Sequence, residues 1–158
     1  MLKRKKNFII YLMILISIGS LSYYIFGQEY RYAKSFSKQL IEYPLPAKTQ
    51  VIEKNFDYGV LYGGGPKGSG GYPTVAVYMI LSSELSEKEI FEYYNKGKFE
   101  IYFEGNEDIK KNSDGKVWYE GNKSTGENLN GESNENDPIK FIIQIRKEFS
   151  YPFFIDFY

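Results

Sequence analysis

The chain has 158 residues, 20 Lys/Arg against 20 Asp/Glu, 18% aromatic residues, no Cys and no His. The absence of His removes the commonest general base and metal ligand, so a Ser-His-Asp triad is impossible, and the absence of Cys removes disulfides and Cys lipidation. The charge is unevenly placed: the first 27 residues hold four bases and no acid, leaving 16 bases against 20 acids beyond them, an anionic balance unsuited to nucleic acid.

Residues 1–7 form a basic tip (Lys3, Arg4, Lys5, Lys6), and residues 8–26 carry no charge. Nineteen helical residues make a rod of about 28 Å, close to the hydrocarbon thickness of a bilayer. Lys and Arg resist translocation, so the expected topology is a single-pass cell-membrane protein with a cytoplasmic N-terminus and an extracellular C-terminal domain. Secretion after signal cleavage is the alternative, with small residues at Ser17, Gly19, Ser20 and Ser22. Apolar character resumes at Leu21 and runs through Tyr23, Tyr24, Ile25 and Phe26, which favours retention.

Residues 27–48 read as a juxtamembrane helix and linker. Ala33, Phe36 and Leu40 share a helical face, and Pro44 and Pro46 end the helix. Residues 49–158 read as one extracytoplasmic domain. Its first strand, Thr49 to Tyr62, alternates loosely, with a bulge or bend expected near Lys54, Asn55 and Asp57. A glycine-rich run follows at 63–71, and then Thr74 to Leu81, a strand apolar enough to be covered on both faces. Ser86 and Glu89 predict a capping box, Leu85 and Ile90 a staple, and Gly97 a left-handed helix end. Phe99 to Glu104 is the next strand, with Lys116 to Tyr119 as its expected partner. Residues 121–138 are low in complexity and are expected to form a flexible loop. Ile139 to Phe149 and Phe153 to Tyr158 complete the strands. The expected fold is α+β: an N-terminal transmembrane helix, then a mostly antiparallel sheet with one capped helix packed on it.

Candidate chemistry is sparse. The glycine run lacks the GKS/T register of a phosphate loop, because Lys67 precedes Gly68 and Pro66 removes a donor; it reads as a hairpin connection or a binding loop through Gly64, Gly65 and Lys67. Asn112, Asp114 and Gly115 fail as a calcium loop, since position twelve would be Gly121, and they read as a turn. Glu104, Glu107 and Asp108 form an acidic cluster able to hold a cation weakly or simply to be solvated. Asn122-Lys123-Ser124 matches a glycosylation triplet. Tyr102, Trp118 and Tyr119, with Phe103, suggest either a stacking platform or core packing.

The residues Leu45-Pro46, Val51-Ile52-Glu53-Lys54, Gly59, Leu61, Tyr72, Leu81-Ser82-Ser83, Leu85-Ser86 and Tyr93-Tyr94, with the glycine run, resemble a group of small single-pass membrane proteins of Gram-positive bacteria. These share a basic N-terminus, one membrane helix and a Cys-poor outer domain in which a glycine-rich loop joins two strands ahead of a Ser-capped helix. Pro66 and Lys67 depart from that pattern. The resemblance spans residues 44–94 and implies location and architecture, with no activity attached.

The resulting expectation is a membrane-anchored, non-catalytic binding or accessory module. It needs no cofactor or metal, and its partners are the lipid bilayer and either another membrane protein or a cell-wall component. The alternatives are a carboxylate-dependent wall hydrolase using Glu104 and a structural subunit of a membrane complex.

Overall fold

A computed structural model describes residues 2–60, 73–105, 107–111, 115–132 and 137–148. The fold is α+β. Among the described residues three helices, α1 (Leu2–Phe26), α2 (Gln28–Ile41) and α3 (Glu87–Asn95), accompany six strands: β1 (Thr49–Val60), β2 (Pro73–Ser83), β3 (Glu100–Phe103), β4 (Glu107–Lys111), β5 (Val117–Gly121) and β6 (Ile139–Glu148). A four-stranded sheet runs β1-β2-β6-β3 with every neighbour antiparallel, and β4 and β5 form a separate hairpin. The glycine run and the strand expected at 153–158 lie outside the described residues.

The continuously apolar β2 has period-2 side chains on two covered faces. Val75, Val77, Met79 and Leu81 point to one side and pack with Phe141 and Ile143 of β6, Ile101 and Phe103 of β3, Ala33, Phe36 and Leu40 of α2, and Ile90 and Tyr94 of α3. Burying each large apolar side chain there is worth about 1.5–3 kcal/mol. The opposite side carries Ala76 and Tyr78, packed against Trp118 and Tyr119 of the hairpin and against Tyr102 and Ile142. The sheet is therefore sandwiched between helices and a hairpin. The expectation of one capped helix on the sheet is not confirmed, because α2 lines the same apolar core as α3.

Register on β1 depends on one extra residue. Val51 stands opposite Leu81 and Glu53 opposite Ile80, so Ile52 is bulged out. The bulge shifts the alternation by one, which places Phe56 and Tyr58 against the helix-side core and Asp57 on the hairpin side. It falls before Lys54, earlier than the polar residues suggested.

Helix α3 starts as its sequence predicts. Ser86 accepts from the Glu89 N–H, and the Glu89 carboxylate accepts from the Ser86 N–H at 2.9 Å. The backbone N–H of Ser86, then its hydroxyl, hold the Glu89 carboxyl below its ordinary value. The helix ends differently from expectation. Lys98, with φ 56°, takes the left-handed conformation. Gly97 matters for another reason: a Cβ there would displace the Phe99 ring.

The expected pairing of Phe99–Glu104 with Lys116–Tyr119 is also corrected. β3 pairs with β6, and β5 pairs with β4. The segment at 121–138 contains no helix among its described residues, yet it is fastened to the domain. Asn130 N–H donates to Glu87 Oε2 at 3.0 Å, Asn130 O accepts from Lys88 N–H at 3.2 Å, and Leu129 packs on the core.

Candidate functional site

Two features carry functional information: the apolar N-terminal helix and the hairpin side of the sheet. Asn7–Phe26 of α1 is long and apolar enough to cross a membrane or to act as a signal sequence. No part of its apolar window is covered by the rest of the chain. Phe8, Tyr11, Leu15 and Tyr23 are each exposed. In water such a rod would present an extended apolar surface, so its side chains call for lipid or another apolar surround.

The hairpin side of the sheet is held by a buried polar network. Gln144 of β6 has no exposure at all. Its Oε1 accepts from the Tyr119 N–H at 2.9 Å, while its Nε2 donates to the Tyr119 carbonyl at 2.9 Å and to Glu100 Oε2 at 2.8 Å. The side-chain amide thus does for β5 what a neighbouring strand's peptide group would do. Glu100 is hydrogen-bonded at both oxygens. Arg146 Nη2 donates to Oε1 at 2.7 Å, and the Tyr102 hydroxyl donates to Oε2 at 3.1 Å. Burial alone would push the Glu100 carboxyl up, but the hydrogen bonds from Arg146, Gln144 and Tyr102 outweigh it and hold the group below its ordinary value. A carboxylate so occupied is a poor proton donor near neutrality.

One further bond ties the hairpin to the sheet, from Val117 to Asp57, and two others steady the residues around the seam. Trp118 Nε1 donates to Glu120 Oε1 at 3.0 Å, the Val117 N–H donates to Asp57 Oδ2 at 2.7 Å, and the Tyr78 hydroxyl donates to Glu53 Oε1 at 2.9 Å. The Tyr78 and Tyr119 rings meet edge to face at 5.0 Å. Burial is the first cause of the raised hydroxyl pKa of both tyrosines.

These positions correct the platform reading. Tyr102, Trp118 and Tyr119 are buried, with at most 7% of any of them exposed, so their rings present no open stacking face. The hairpin and the sheet close over them from opposite sides. Gly64, Gly65 and Lys67 lie outside the described residues, so the structure brings none of them to this region.

Beside the hairpin is a cleft of about 150 Å³. Its apolar wall includes Ile80, Ile109, Tyr119 and Ile142, and its polar wall includes Glu104, Glu107 and Lys140. Glu104 and Glu107, read from sequence as an acidic cluster, therefore share one concave surface. Oε2 of Glu107 is buried and has no hydrogen-bond partner. Ile109 is 58% exposed at this cleft. The described residues include no group of three or more Asp/Glu placed to hold a metal ion.

The network residues Gln144, Glu100 and Arg146 are missed by sequence reasoning. One signal was present: Gln144 interrupts Phe141-Ile142-Ile143 and Ile145, and a polar residue inside an apolar strand run needs a buried partner.

Comparisons with protein-family models, with curated proteins and with solved structures return no match to this chain.

Proposed function

We propose that the chain is a single-pass cell-membrane protein with its basic tip in the cytoplasm and its α+β domain outside. The domain acts as a binding or accessory module for another membrane protein or a cell-wall component. Its kinship is with the Gram-positive single-pass proteins whose motifs it resembles. The observation that carries this reading is the uncovered apolar helix joined directly to a folded domain. The four bases ahead of its apolar stretch support the orientation.

The cleft beside β4 supports binding of a particular chemistry. A buried carboxylate oxygen without a donor, next to isoleucine side chains, suits an ammonium group on an apolar stem.

Topology is tested in intact cells. The native chain has no Cys, so single cysteines report without background. A membrane-impermeant maleimide should label Asn122→Cys in whole cells and Lys5→Cys only after lysis; the reverse pattern would sink the orientation. A shortened product released to the medium would establish the secreted alternative. The cleft is tested by titrating n-butylammonium into the full-length protein. The Ile109 and Ile142 methyl resonances should shift, and Glu107→Gln should abolish the shift. Unmoved methyls in the native chain would remove the cleft from the reading.

A further inference from the structure

We infer that Gly27 and Arg31 form a rigid elbow that sets the outer domain at a fixed angle over the bilayer and confines its partner to the membrane surface. The inference rests on the membrane-spanning reading of α1 and adds to it the geometry of the junction.

The first observation is a helix break with a physical cause. α1 ends at Phe26 and α2 begins at Gln28, with Gly27 between them; the Gly27 N–H donates to the Tyr23 carbonyl at 3.0 Å, and the Arg31 N–H donates to the Gly27 carbonyl at 3.2 Å. The Arg31 guanidinium folds back onto the last turn of α1. Nη1 donates to the Tyr23 carbonyl at 3.2 Å and Nη2 to the Tyr24 carbonyl at 2.5 Å. A side chain that competes for the carbonyls of a helix's last turn is a recognised cause of a kink. The cation also lies at the C-terminal, negative end of α1, where it is favoured.

The second observation concerns space. A Cβ on residue 27 would lie 2.7 Å from both Arg31 Nη1 and the Tyr23 carbonyl oxygen. Only glycine leaves room for the guanidinium to reach those carbonyls. The third is the aromatic setting: the Arg31 guanidinium carbon sits 5.6 Å from the Tyr23 ring centre and 5.0 Å from that of Tyr24. Those tyrosines are 74% and 59% exposed, as rings at a lipid headgroup layer are.

The far side of the elbow is equally fixed. α2 is anchored in the domain core through Ala33, Phe36 and Leu40. No flexible linker therefore separates the membrane helix from the sheet: the junction is the single residue Gly27. A domain of this size is about 35 Å across. Fixed by its stem, it can meet only partners lying within about that height of the bilayer. A partner embedded in the membrane fits this reach, and a polymer held farther out does not.

The test uses the full-length chain in phospholipid vesicles, with spin labels at Ile18→Cys and Lys54→Cys. The native elbow should give one narrow distance distribution. Arg31→Gln and Gly27→Ala should each lose that single peak and broaden, with unchanged melting midpoints showing that the domain stays folded. Arg31→Lys keeps the charge but lacks the two-pronged donor, and should fall between them. A broad distribution in the native chain, or narrow ones in all variants, would overturn the elbow. Flotation of the same samples separates the two readings: protein that fails to float refutes the spanning helix, whatever the label distances. For the partner, photo-crosslinking from position 109 in intact cells should give adducts that fractionate with membranes. Adducts found only with the wall polymer would overturn the membrane-level partner.

Discussion

The two faces of the sheet differ in what holds them. The helix face is held by apolar burial, with residues from α2, α3 and three strands meeting in one cluster. The hairpin face adds to a smaller aromatic cluster a set of aligned polar groups, centred on one buried glutamine and one hydrogen-bonded carboxylate. Apolar contacts are non-directional and tolerate small shifts. A network of paired donors and acceptors does not, because each unmet group costs the full penalty of its desolvation. The helix face should therefore fail gradually, and the hairpin face all at once.

The largest expected effect lies on the helix face. Phe141 is fully buried between α3 and β3. Phe141→Ala should cost about 3–5 kcal/mol in urea unfolding, the range for truncating a core aromatic. The next lies opposite. Gln144→Leu keeps the volume but strands the Tyr119 N–H and carbonyl and one Glu100 contact; about 2–4 kcal/mol is expected, at about 1–3 per buried group left unpaired and softened by water entering the hairpin seam. The comparison breaks if hydrogen exchange shows this variant loosening the helices before the hairpin.

A pH titration sharpens the contrast. The folded Glu100 carboxyl is depressed below its ordinary value of 4.5. The unfolded chain therefore binds its proton first on acidification, so the stabilisation is fully present above that value. It is lost as pH falls through the lower, folded value. Glu100→Gln should make the melting midpoint less sensitive to pH in that acidic window. Glu89, depressed in the same direction, continues to contribute in both proteins, so the difference between them isolates the hairpin network. Equal acid sensitivity would detach Glu100 from it.

The smallest effect belongs to Tyr94. Its ring is buried in the helix-face core, and its hydroxyl is buried without a partner. Tyr94→Phe removes an unmet polar group and should leave stability unchanged or raise it by up to about 1 kcal/mol. A loss of more than that, read from the thermal midpoint, would show that the hydroxyl has a partner in solution.

The helix face was legible because periodicity reports burial directly. Ala33, Phe36 and Leu40 at helical spacing, the apolar run of β2 and the Ser86–Glu89 box each announce one side of one element. Coverage of β2 on both faces was legible too, although what covered the second face was not. β4 contains one large apolar residue, Ile109, among Glu107, Asp108, Lys110 and Lys111, so it carries no alternating signal. With β4 unseen, β5 had no visible partner except β3, and alternation alone cannot choose between equivalent strands. The aromatic residues of β5 then looked available for stacking, whereas the Gln144 amide draws the hairpin down over them. The Arg31 junction was illegible for a related reason. Its charge marks a polar helix face in sequence, and only geometry shows the guanidinium turning back to the carbonyls of Tyr23 and Tyr24.

The bulge at Ile52 bears on how molecules of this protein avoid one another. Among the described residues β1 is the long outer strand of the sheet, and such a rim invites a strand from another copy to lie along it. An extra residue there offsets the two halves of the rim by one position. An incoming straight strand in step with Thr49 and Val51 is out of step with Lys54 onward, so its side chains face the wrong way over the rest of its length. The residue that directs Phe56 inward thus also spoils the template for fibrous stacking.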